Sequence, residues 1–255
     1  MGFIFAFLYL VVYDLSMPAI RDAHCHIFSR DQMETIRSFG VGFFVVNATQ
    51  ISEWGRVAEL AQESWLVRGA IGVHPWYVSG LPADWDVALT CWLEKHPELS
   101  VGEIGLDKNY PDLDIQESVF RRGLQIAHDM KRVAHIHCVG AWGKMLEILR
   151  GSKLPPAMIF HAFSGSADLV PELVRKRGFF SFGRAVCDSR RVKLHDTVRA
   201  VPNGRILVES DASFVDDYAY LDDTIQTIAD IRNDHYGQIV ELSCNVEDVL
   251  NDGKI

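Results

Sequence analysis

Residues 101–107 read Val-Gly-Glu-Ile-Gly-Leu-Asp, an apolar, strand-like run with one carboxylate, Glu103, set between two glycines. The run opens at Leu99. A stretch of helical periodicity, Trp85–His96, precedes it, and another, Ile115–Met130, follows. A short β-run between two helical stretches is the unit of a parallel sheet, whose strands need right-handed crossovers. The alternation continues in both directions. Ala19–His26, Gly42–Ala48 and Leu66–Val73 precede this strand, and Val133–Val139, Ala157–Ala162, Phe179–Val186 and Arg205–Ser210 follow it. Ser52–Gln62, Trp142–Leu149 and Leu169–Arg177 carry apolar residues at three- and four-residue spacing. Eight such units predict a single α/β domain, a closed (β/α)8 TIM barrel, which typically needs about 250 residues. No G-x-G-x-x-G follows the first strand, which disfavours a dinucleotide-binding doubly wound sheet. No linker or low-complexity stretch divides residues 17–255.

The 255 residues are 48% hydrophobic and include fourteen Phe and six Trp, which excludes a disordered acidic chain. The formal net charge is −9, so no chain-wide basic footprint for nucleic acid exists. A phosphate-bearing ligand would need a local patch or bound cations. Cys25, Cys91, Cys138, Cys187 and Cys244 are scattered without a C-x-x-C pair, which points to reduced thiols and a cytoplasmic protein. Residues 1–16 stand apart. Phe3–Tyr13 is an unbroken apolar run of eleven, too short for a membrane-spanning helix of ~20 residues. It lacks a preceding Lys or Arg and a small-residue cleavage site. Three readings stay open: a dispensable extension with the true start at Met17, a signal-like or membrane-associating segment, or packed structure.

In a barrel, functional groups come from the carboxyl ends of strands. The first strand ends Asp22-Ala23-His24-Cys25-His26, which sets His24 and His26 on one face. Two imidazoles so placed can converge on one divalent cation. Glu103 lies within an apolar strand, and a buried carboxylate needs an ion pair or a metal. The fifth strand carries His135 and His137, the sixth ends at His161, and the eighth leads through Glu209-Ser210 to Asp211. His74-Pro75 closes the third strand as a turn. Four histidines with Glu103 and Asp211 suit Zn²⁺, Mn²⁺ or Mg²⁺ and suffice for two adjacent cations.

The ordered set D-x-H-x-H, G-x-H-P, G-E-I-G-L-D, a strand histidine, H-x-F-S-G-S and E-[ST]-D resembles the TatD family of metal-dependent hydrolases, TatD-like deoxyribonucleases within the amidohydrolase superfamily. The likeness runs from about Pro18 to Leu250, with Asn245 at the family's C-terminal asparagine. It implies that His24, His26 and Asp211 bind one metal, that His137 and His161 bind a second, and that Glu103 bridges the two. His137 rather than His135 occupies the family's ligand position. The chain departs from the family at Val133, Val139 and Ser213, where Pro, Arg and Pro are usual.

The expected activity is divalent-metal-dependent phosphoester hydrolysis, with two cations per chain, and Asp211 and Glu103 as catalytic residues. His74 and Arg184 are the candidate substrate contacts. Ser164-Gly165-Ser166 reads as a helix cap or an anion site. An amide, lactone or carboxyl-ester hydrolase is the alternative, and a metal-stabilised binding protein without turnover is the second. The expected partner is a phosphoester substrate, DNA included. No obligate protein partner is implied, and membrane contact would come only through residues 1–16.

Overall fold

A computed structural model describes residues 18–252; the readings of residues 1–16 lie outside the described residues. The strands are β1 (Ile20–Cys25), β2 (Val41–Asn47), β3 (Val67–Ile71), β4 (Ser100–Asp107), β5 (Ala134–Val139), β6 (Met158–Phe160), β7 (Gly178–Phe182) and β8 (Ile206–Val208). All eight form one sheet in chain order, each parallel to the next. Closure occurs just past β8. Asp211 N donates to His24 O at 3.0 Å and His26 N to Ala212 O at 2.8 Å, around a parallel bridge between Cys25 and Ala212. The expected TIM barrel is the observed fold.

The helices are α1 (Arg30–Arg37), α2 (Trp54–Glu63), α3 (Trp85–Lys95), α4 (Leu113–Asp129), α5 (Trp142–Arg150), α6 (Val170–Arg175), α7 (Val192–Ala200), α8 (Leu221–Arg232), α9 (Tyr236–Ser243) and α10 (Asn245–Asp252). Sequence periodicity singles out α2 to α6 but not α1 or the four that follow α6. Strand seven is shorter than the apolar run Phe179–Val186 suggests. Its pairing stops at Phe180 on the β6 side and at Phe182 on the β8 side, and after Gly183 the chain turns into a 3₁₀ segment, Arg184–Cys187. No helix among the described residues is long and apolar enough to cross a membrane.

Strand alternation divides the core in two. Phe44 and Val46 of β2, with Phe180 and Phe182 of β7, join the large layer between strands and helices. Phe43 and Val45, with Ile159, Leu207 and Ala23, form a smaller cluster that Val246, Val249 and Leu250 of α10 complete. Side chains two apart share a face, so the inward positions continue upward as Asn47 in β2, His135 and His137 in β5, His161 after β6, Ser181 in β7 and Glu209 after β8. All six are buried. The barrel interior is therefore apolar at the α10 end and polar at its C-terminal mouth.

Candidate metal centre

Glu103 is 1% exposed at the centre of the mouth. Its Oε1 lies 2.7 Å from His161 Nε2 and 3.0 Å from His137 Nδ1, while Oε2 lies 3.4 Å from His24 Nε2 and 3.7 Å from His26 Nε2. Asp211 Oδ1 adds contacts of 3.8 and 3.5 Å to His24 and His26. All six candidate ligands thus meet around one point of the barrel. No Lys or Arg pairs with Glu103 among the described residues, so the histidines around it must answer its buried charge. The flanking glycines explain how the carboxylate reaches this place. A Cβ at Gly105 would lie 1.9 Å from the His137 carbonyl oxygen, and one at Gly102 would lie 2.6 Å from His135 Cβ. Only glycine permits β4 to press so closely on β5.

At His26 a hydrogen bond on the far side of the ring fixes which nitrogen faces inward. His26 Nδ1 is 2.8 Å from the Asn47 carbonyl, which can only accept, so Nε2 keeps its lone pair and points at His24 Nε2, 3.2 Å away. His137 Nδ1 and His161 Nε2 face each other at 2.9 Å, while His137 Nε2 looks toward Asp107 at 3.5 Å and His161 Nδ1 toward Glu209 at 4.0 Å. Carboxylates behind imidazoles are the usual outer support of metal-binding histidines. Glu103 Oε1 has two ring nitrogens close by yet accepts no well-directed hydrogen bond, and His24 Nδ1, His137 Nε2 and His161 Nδ1 are buried without partners. Lone pairs that crowd together unpaired are costly unless a cation gathers them. Donor atoms within 4.8 Å of one another occur in His24–His26–Glu103, in His74–Glu103–His137 and in His24–His161–Glu209. The residues present fit a divalent metal.

The charges reinforce one another. Burial alone would push His161 down, but ionised Glu103, 2.7 Å away, helped by Glu209 and Asp211, raises it to about 10. Burial likewise opposes ionisation of Glu103, yet the charges of His161, His24 and His74 hold it well below the usual range. Asp211 has burial against it too, but a hydrogen bond with His26 and the histidine charges keep it at about 2. Burial dominates at His24, pushed down to about 4, and at His135, pushed down to about 3. His135 is fully buried beneath the cluster with both ring nitrogens unpartnered.

His74 is 4% exposed, more buried than its turn suggests. Its Nδ1 accepts from Trp76 N at 3.2 Å, so the neutral ring carries its proton on Nε2, 3.5 Å from Glu103 Oε1. That tautomer makes His74 a donor to Glu103 rather than a metal ligand. Arg184 lies over the Tyr220 ring, 3.5 Å from its centroid, and lines with Arg191 and Asp211 a cavity of about 260 Å³. A second cavity, about 390 Å³, is lined by His74, Trp76, Glu103, His137, His161 and Asp211 among others. The Ser164–Ser166 loop does not cap a helix through a side chain. Ser166 makes no such bond, and Ser164 Oγ instead donates to Cys138 O and accepts from Trp142 Nε1.

Two residues that matter here were not singled out in the sequence. Asp22 is fully buried and accepts from Ser210 N at 2.9 Å, Ser210 Oγ at 2.6 Å and the Tyr218 hydroxyl. These bonds tie β1 to the segment after β8 and so set Asp211, whose φ is 53°, beside His24. Burial raises Asp22 to about 6 despite them. Glu209 accepts from Ser181 Oγ and from Ala162 N behind His161, and burial raises it to about 8.

A family model described as TatD related DNase matches residues 21–250. The chain belongs to the TatD family. Among its relatives, "3'-5' ssDNA/RNA exonuclease TatD" of Klebsiella pneumoniae is 30% identical over 198 residues, 74% of each chain. "Uncharacterized metal-dependent hydrolase YjjV" of Escherichia coli is 29% identical over 205 residues, 75% of this chain and 78% of that one. The crystal structure of the TatD homologue YjjV from E. coli superposes with a TM-score of 0.80 at 23% identity, covering 91% of this chain and 97% of the other. This TatD-family chain is a metal-dependent hydrolase.

Proposed function

We propose that this TatD-family hydrolase cleaves phosphodiester bonds of nucleic-acid ends, with two divalent cations held at the barrel mouth. The observation that carries the reading is the division of Glu103 between two histidine pairs, Oε2 toward His24 and His26 and Oε1 toward His137 and His161. Asp211 completes the first set. The relatives named as ssDNA/RNA exonucleases support nucleic acid as the substrate class.

Bound divalent cations supply Lewis-acid polarisation of the phosphoryl group and acidify water near neutral pH. The chain's own residues do the rest. Asp211, whose side chain is 46% exposed, is the cluster carboxylate that solvent reaches. Ionised, it orients the attacking water and accepts its proton. His74, with its proton on Nε2, steadies Glu103 in its shared position. Arg184 and Arg191 offer the positive charge that a −9 chain otherwise lacks, in the cavity beside Asp211. They suit a phosphate next to the one attacked.

The test uses chelator-treated protein resupplied with Mg²⁺, Mn²⁺ or Zn²⁺ and an end-labelled single-stranded oligonucleotide. Metal-dependent stepwise shortening is expected. Hydrolysis of lactones or carboxyl esters with no cleavage of any phosphodiester would overturn the reading.

A further inference from the structure

Trp76 lines the cavity of about 390 Å³ beside Glu103, is not used by the hydrolytic machinery, and carries against one of its faces the ring of Tyr110, which is not part of that lining. Trp76, in the turn after β3, and Tyr110, in the loop after β4, stack with centroids 4.5 Å apart and planes 16° from parallel. Both stay open to solvent, at 46% and 39% exposure. The indole is held in place from two sides. Its Nε1 donates to Asp107 Oδ2 at 2.7 Å, and its backbone N donates to His74 Nδ1. Asp107 is in turn fixed by Asn109 N at 2.9 Å and faces His137. The Trp76 ring centroid is 4.8 Å from that of His74 and 6.5 Å from that of His137.

An exposed indole normally loses side-chain freedom when a ligand settles on it, and a pre-fixed ring avoids that loss. Flat aromatic surface at the rim of a polar, cation-binding cavity fits a ligand with one flat apolar face and one anionic group. A nucleotide unit has both, and base–aromatic stacking accepts any base. With a net charge of −9, the chain gains from stacking an affinity that adds to the local contacts of Arg184 and Arg191.

We propose that Trp76, backed on one face by Tyr110, is a nucleobase-stacking subsite that seats the base adjoining the scissile phosphodiester. The inference rests on the phosphodiesterase reading above and extends it to single-stranded substrates whose bases are free to stack.

The experiment compares oligothymidylate with a chain of equal length built from abasic tetrahydrofuran residues. It measures kcat/KM on each with the metal-loaded enzyme, and oligothymidylate binding by fluorescence anisotropy with the chelator-treated protein. The parent enzyme is expected to favour the base-bearing chain. In Trp76→Ala that preference should shrink about 5- to 150-fold, the range one base–aromatic stack supports, mainly through KM. Metal-free binding of oligothymidylate should weaken by a similar factor. Trp76→Phe, which stacks but cannot bond Asp107, should keep most of the preference. Equal losses on both substrates, or Trp76→Phe failing as badly as Trp76→Ala, would make the residue a support for Asp107 and His137 and overturn the subsite. An unchanged preference in Trp76→Ala would overturn it as well. If the parent cleaves neither chain with any metal, the phosphodiesterase reading itself falls, and the subsite with it.

Discussion

Replacing Glu103 by Gln keeps the volume and removes one buried charge at the centre of the cluster. In the metal-free protein the immediate casualty should be the protonation of His161. That imidazole sits 2.7 Å from Glu103 Oε1 and is raised from 6.5 to about 10 against the effect of burial. Two unit charges 4 Å apart interact by roughly 4 kcal/mol at an effective dielectric of 20, or about three pH units at 1.36 kcal/mol each. One carboxylate therefore accounts for most of the rise. In Glu103→Gln, burial should regain control and His161 should titrate below about pH 7. Histidine NMR titration of the chelated protein reads this directly, with circular dichroism to confirm folding. The same variant should bind Mn²⁺ or Zn²⁺ at least about 100-fold more weakly, since both histidine pairs lose their shared anion. If His161 still titrates above pH 9, its charge is held by Glu209 or Asp211, and Glu103 is not the hub described here.

Asp211→Asn should lower kcat by at least about 10²-fold, the smaller end of general-base contributions, while retaining much of the bound metal; near-normal turnover would remove Asp211 from the chemistry. His137→Ala should lose metal and activity together, whereas His135→Ala, made where neither ring nitrogen has a partner, should cost packing alone. Equal losses of metal in the two would show that strand five has been misread. Gly105→Ala should lower the melting temperature by at least about 5 °C, because its Cβ would meet the His137 carbonyl at 1.9 Å and overpacking costs typically 1–3 kcal/mol or more. A calorimetric midpoint within 2 °C of the parent would contradict that. Metal affinity should rise with pH between 6 and 8, because a cation can use His161 only after its proton leaves. Calorimetry in buffers of different ionisation enthalpy should register proton release on metal binding, and proton uptake would reverse the argument.

The barrel and the six clustered residues were legible because strand geometry has a period of two. Once β5 is a strand, His135 and His137 must share its inner face, and only depth separates the core residue from the residue at the mouth. Depth is what sequence does not record. His74 reads as a turn residue at the rim, yet its ring is buried because Nδ1 closes the turn onto Trp76 N. Glu209 reads as the end of an apolar run, and its role behind His161 depends on Ser181 and Ala162, both distant in sequence. Asp22 lies within the D-x-H-x-H motif, but its partners Ser210 and Tyr218 come from the far end of the sequence. The overlong strand seven has a local cause. Ala185 and Val186 resume the apolar pattern after Gly183-Arg184, and the lost pairing beyond Phe182 shows that the ladder has already ended.

The most direct test of the metal centre is anomalous diffraction from crystals soaked in Mn²⁺ or Zn²⁺, recorded on both sides of the metal's absorption edge. Two anomalous peaks are expected at the barrel mouth, one within coordinating distance of His24, His26 and Asp211, the other of His137 and His161, with Glu103 touching both. A single peak elsewhere, or a fully soaked crystal with no peak near Glu103, would contradict it.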